Sequence, residues 1–180
     1  SYTATDSENE EWLTTFSTIV LKSTTGYIFH VGDSRISKYR QQKLENITRD
    51  HNRKQGRKSV ILTRAMGADP HLEVDVHKID LRQGDIYLLT CDGVNDYLSE
   101  KEMSLALDSL PESPQESDLE QTSKVIVEQA VTQGSDDNVS CLLVYVDKLP
   151  SRKLEELERE LLGRAIPPVL EVGMKIDHYI

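Results

Sequence analysis

The chain has only two cysteines and no CxxC pair, which removes support for a disulfide framework or a thiolate zinc site. Its five histidines, His30, His51, His71, His77 and His178, form no HxxxH or HExxH pattern, so imidazole zinc chemistry has no support either. No apolar run approaches the roughly 20 residues that a membrane span needs, and no basic segment followed by an apolar one reads as a secretory signal. Basic residues are scarce: 21 Lys and Arg stand against 31 Asp and Glu, a net charge of -10. That balance argues against a nucleic-acid footprint and against a polybasic membrane-surface patch. Internal repeats and EF-hand spacing are also lacking. Cys91 and Cys141 lie in the apolar runs YLLTC and SCLLVYV, where a free thiol behaves as a small buried hydrophobe. A reducing, cytoplasmic setting is expected.

What is present suffices for one core, with 37% hydrophobic residues in a chain of 180. Residues 14–21 (TTFSTIVL) are β-branched and apolar, and after a turn at Ser23 to Gly26 a second such run spans Tyr27 to Val31. A third alternating run, Arg35 to Tyr39, precedes the polar turn Gln41-Gln42-Lys43, and the three suggest an antiparallel meander. Leu72, Val74 and Val76 keep a period of two, residues 85–90 (DIYLLT) suggest a buried strand, and the apolar run Val139 to Val146 predicts a strand covered on both faces. Ser99 followed by Glu102 fits a capping box and predicts a helix start. Residues 118–133 carry Leu119, Ile126, Ala130 and Val131 on one stripe, and Gly134 stands where a left-handed helix end belongs.

Beyond Lys148 the character changes. Residues 149–163 place Leu154, Leu157, Leu161 and Leu162 at helical spacing on a charged background, which predicts an amphipathic helix. Pro167-Pro168 then opens a linker over 164–180.

Three short acidic motifs carry the chemistry: Gly32-Asp33-Ser34-Arg35, Cys91-Asp92-Gly93-Val94-Asn95-Asp96 and Ser135-Asp136-Asp137-Asn138. Each sets an aspartate at or just past a predicted strand end, where carboxylates from different strands can converge. Such oxygen donors suit hard cations such as magnesium or manganese. Taken singly, each is also ordinary turn chemistry.

In order and context, the segments FHVGDSR (29–35), LENITRDH (44–51), LTRAMG (62–67), LRQGDIYLLTCDGVNDYL (81–98) and GSDDNVSCLL (134–143) resemble the protein phosphatase 2C family of metal-dependent serine/threonine phosphatases, in its bacterial branch. The resemblance covers roughly residues 14–147. It implies an α+β fold, a four-layer α/β/β/α sandwich of antiparallel sheets flanked by helices. It implies that Asp92 and Asp137 belong to a two-metal centre for Mg2+ or Mn2+, and that Asp33 and Asp96 hold a third, weaker ion alongside Asp92. Asp136 is then a neighbour of a ligand, and Arg35, Asp50, His51, Arg64 and Gly67 are scaffold. Cys91 ends an apolar strand with no basic neighbour to lower its pKa, so no catalytic role is assigned to it. The chemistry implied is hydrolysis of phosphoserine and phosphothreonine in proteins by a water that two cations about 3.5–4 Å apart activate.

The family's upstream RxxNED-type cluster and first DG motif do not occur here, so residues 1–148 are expected to form a partial catalytic domain. The chain by itself is then expected to be inactive and to self-associate through unpaired sheet edges. The alternative is an inert phosphatase-like interaction module. GMKIDHYI (173–180) is similar to the lead-in of a protein kinase domain, although no glycine-rich loop, catalytic lysine or HRD motif is present.

Overall fold

The computed structural model describes residues 13–55, 59–68 and 71–150. The amphipathic helix and linker expected over 149–180 fall almost wholly outside them.

Two antiparallel sheets form the centre. The first has the order β1-β2-β7, with β1 Phe16–Lys22, β2 Thr25–Val31 and β7 Asp75–Asp80. The second has the order β4-β3-β8-β9, with β3 Arg35–Arg40, β4 Lys43–Asn46, β8 Ile86–Thr90 and β9 Cys141–Tyr145. A separate hairpin joins β5 Asn52–Gln55 to β6 Ser59–Leu62. The expected meander of three strands is therefore not formed. β1 and β2 pair through the turn at Ser23, which takes a positive φ of 53°, but β3 leaves them and pairs with β4 and β8. The switch occurs at Gly32, whose φ of 114° turns the chain out of one sheet and into the other.

Side-chain alternation explains the layering. In β8, Ile86 and Leu88 face the helices, while Tyr87 and Leu89 face the other sheet. Between the sheets Leu81, Tyr87 and Val146 are buried, with Ile19 and Ile79 from the first sheet and Val144 from the second packed on them. On the other side of the second sheet lie α2 Glu100–Asp108 and α3 Glu116–Thr132, whose Met103, Leu107, Ile126 and Ala130 meet Ile86, Leu88 and Val94. Burying each larger side chain there stabilises by roughly 1.5–3 kcal/mol. The outer face of the first sheet differs: Phe16, Val20 and Val76 are 46%, 48% and 60% exposed.

The helix ends follow the sequence signals. Ser99 accepts from the backbone N–H of Glu102, and the Glu102 carboxylate accepts from the Ser99 N–H, closing the expected capping box. α3 ends in a Schellman motif: the Ser135 N–H donates to the Ala130 carbonyl and the Gly134 N–H to that of Val131, with φ of 100° at Gly134. Asp85, 1% exposed, accepts both Arg40 guanidinium donors, the Arg82 N–H at 2.8 Å and the Tyr87 hydroxyl at 3.3 Å. It thereby ties the β7–β8 turn to β3.

Candidate metal centre

The three acidic motifs come to one end of the two sheets. Asp33 lies in the Gly32 to Ser34 turn that leaves β2. Asp92 opens the four-residue helix α1 Asp92–Asn95 directly after β8, and Asp96 caps that helix with its N–H on the Asp92 carbonyl at 2.9 Å. α1 is held at its root by Thr90, whose hydroxyl donates to Asn95 Oδ1 at 2.7 Å.

Electrostatics shows which carboxylates share a space. Burial pushes the Asp33 carboxyl above the usual range, and the negative charges of Asp92, Asp50 and Asp96 push it further. The Arg35 guanidinium is engaged by Asp50 in a bidentate pair at 2.8 and 2.7 Å and also feels the Asp96 charge. Asp33 thus lies within electrostatic reach of Asp92, Asp50 and Asp96.

Asp137 reaches this end by a different route. Its Oδ1 accepts from the Asn138 N–H at 2.7 Å, and its loop is stapled to the Asp92 loop. The Ser135 hydroxyl donates to the Gly93 carbonyl at 2.8 Å. The Cys91 thiol donates to the Asn138 carbonyl and its sulfur accepts from the Ser140 N–H, both at 3.1 Å. Gly93 has to be glycine here, because a Cβ would stand 2.4 Å from the Asn138 carbonyl oxygen. Asp136 accepts from the Tyr97 hydroxyl at 2.9 Å.

Two of the residues expected to be scaffold, His51 and Arg64, meet at Asp75. His51 is buried and satisfied at both ring nitrogens, by the Gly32 N–H at 3.2 Å and by Asp75 Oδ2 at 3.1 Å. Arg64 donates to the same Asp75 at 2.9 Å. Sequence reasoning missed Asp75, Tyr97 and Ser135. Asp75 lies 24 residues from His51 and Tyr97 lies 39 from Asp136, so no local spacing marks either pair.

The donor set is of the right chemistry for a hard cation, carboxylate oxygens with no competing sulfur ligand. Its density is lower than a closed site requires: among the described residues no three His, Cys, Asp or Glu side chains converge to hold an ion.

No protein-family model matches the chain. It is 27% identical over 150 residues to the serine/threonine phosphatase stp of Listeria monocytogenes serotype 4b, across 74% of this chain and 57% of that protein. Among solved structures it is similar to PppA, a key regulatory component of T6SS in Pseudomonas aeruginosa, at 27% identity and a TM-score of 0.64, over 73% of this chain and 56% of that one. It is also similar to the catalytic domain of the serine/threonine phosphatase PstP in complex with two manganese ions, at 26% identity and a TM-score of 0.62, over 73% and 57%. The chain therefore spans little more than half the length of the relatives it matches. These likenesses bear out the resemblance to serine/threonine phosphatases and the expected pair of antiparallel sheets flanked by helices.

Proposed function

We propose that this chain supplies part of a metal-dependent protein phosphatase that hydrolyses phosphoserine and phosphothreonine. The supporting observation is geometric: the Asp137 loop is stapled to the Asp92 loop through Ser135 and Cys91, and Asp96 caps the helix that Asp92 opens. Asp92 and Asp137 would hold the principal ions, and Asp33 and Asp96 would join Asp92 around a third. Bound Mg2+ or Mn2+ would supply charge neutralisation at the phosphate oxygens and acidify a water molecule. The protein's own part is positional. α1 fixes Asp92 against Asp96, the Gly32 turn brings Asp33 beside them, and the Ser135 and Cys91 staples hold the Asp137 loop close.

In a polypeptide that includes upstream sequence, Asp92→Asn or Asp137→Asn is expected to abolish manganese-dependent hydrolysis of a phosphopeptide with an unchanged circular dichroism spectrum. Undiminished turnover in either variant would sink the assignment.

The low density of donors among the described residues favours a second reading of the 180-residue chain taken alone, as a catalytically inert phosphatase-like interaction or regulatory module. Phosphatase assays in excess manganese decide this: a fully active chain refutes it.

A further inference from the structure

His51 makes more contacts with the Asp33 turn than filling space requires. Its backbone N–H donates to the Gly32 carbonyl at 2.7 Å, and its Nδ1 takes the Gly32 N–H at 3.2 Å, so one residue binds both polar backbone groups of Gly32. A backbone N–H can only donate, so Nδ1 carries the lone pair and Nε2 carries the proton that it gives to Asp75. The tautomer is fixed from both sides. Asp75 is fixed in turn by Arg64 at 2.9 Å, and the His51 carbonyl accepts from the Thr63 N–H at 2.8 Å. Gly32 also presses on Thr15, just before β1, since a Cβ there would stand 2.4 Å from Thr15 Cβ, and Thr15 Oγ1 pairs with Ser34 Oγ at 3.1 Å. Asp33 therefore hangs between two tethered neighbours.

We propose that His51 is a positioning residue for Asp33, acting through its Nδ1 acceptor on the Gly32 N–H, with Asp75 and Arg64 serving to hold the imidazole in that tautomer. For metal binding the idea rests on the functional reading above; for the geometry it does not.

Two substitutions separate the ring nitrogens. His51→Asn keeps an acceptor where Nδ1 stood and loses the donor to Asp75, whereas His51→Gln keeps a group at the Nε2 position and loses the acceptor. In the 15N-labelled 180-residue chain, the Gly32 amide is expected to exchange with solvent roughly tenfold faster in H51Q than in H51N, the effect of losing one hydrogen bond. Broadening of the Asp33 amide signal by added Mn2+ should survive in H51N and weaken in H51Q. A purely structural histidine, valued for its Asp75 contact, gives the opposite order and overturns the proposal. The wild-type imidazole 15N shifts need no variant: a proton on Nδ1 overturns it too. Asp33, Asp92 and Asp96 signals indifferent to Mn2+ in the wild-type chain would instead overturn the metal reading, and the exchange order then decides His51 alone.

Discussion

Gly93→Ala is the smallest change that should disturb the candidate centre. Gly93 is buried, and its φ is not in the left-handed region, so an alanine meets no backbone strain and the cost is steric. The added methyl would stand 2.4 Å from the Asn138 carbonyl oxygen, 3.2 Å from its carbon and 3.5 Å from Ser135 Oγ. Two of these three atoms belong to backbone, so the Asp137 loop must move as a whole. Overpacking of this kind costs about 1–3 kcal/mol, and weakening the Ser135 and Cys91 staples adds about 1 kcal/mol. A loss of roughly 2–4 kcal/mol follows, which lowers a urea midpoint by about 1–2 M at an ordinary slope. Gly134→Ala is the control, because Gly134 has open space around it and a φ of 100°; its cost is backbone strain alone, about 1–2 kcal/mol. Location separates the two. The Cys91 thiol, released from Asn138 and Ser140, should react faster with a disulfide reagent in G93A and at the wild-type rate in G134A. A G93A stability within about 0.5 kcal/mol of wild type, the scatter of neutral surface changes, would refute the steric reasoning.

Further outcomes follow from the same contacts. Glu102 is held down at about 2 by its Ser99 and Gln133 hydrogen bonds, so it adds stability that is complete above the ordinary carboxyl range of about 4.3 and is lost as pH falls toward 2. Glu102→Gln, which keeps the capping geometry, should remove that part of the acid dependence of the urea midpoint, and an unchanged pH profile would refute it. Asp85→Ala leaves the Arg40 guanidinium with only the Asp80 carbonyl as a partner and removes the acceptor of Arg82 N–H and the Tyr87 hydroxyl, and should cost about 3–5 kcal/mol in thermal unfolding; a loss below about 1 kcal/mol counts against the clamp. Burial pushes the Cys141 thiol up to about 12, so at pH 8 it should resist iodoacetamide in the native chain and react in urea. Rapid native labelling at Cys141 would contradict its burial.

Features governed by near neighbours were legible in the sequence. Ser99 with Glu102, and Gly134 after the Ile126 stripe, encode caps within one turn of backbone, and both stand where their spacing put them. Features set by distant partners were not. Leu72, Val74 and Val76 keep a period of two, yet β7 begins only at Asp75 and its inward residues are Asp75, His77 and Ile79, with Val76 turned outward. Period two gives a face, and only the packed partner says which face is inside. Residues 141–145 form the expected last strand, but Leu142 stays 56% exposed, so the strand is not covered throughout. The hairpin β5–β6 was not foreseen, because Arg53 and Lys54 carry little β propensity. At the candidate centre, the aspartates could be picked from their motifs. Their relative approach depends on Gly93, Ser135 and Cys91 contacts spanning 42 to 49 residues, which no spacing rule reports.

The outer face of the three-stranded sheet sets two forces of opposite salt response on one molecule. Net charge of -10 keeps copies apart over a screening length of about 10 Å in 0.1 M salt and about 3 Å in 1 M. Phe16, Val20 and Val76 meanwhile attract one another more strongly as sulfate is added. Light scattering should therefore rise steeply with ammonium sulfate, less with sodium chloride of equal ionic strength, and fall on dilution into low salt. Dilute buffer, rather than high salt, is the condition under which such a chain stays dispersed.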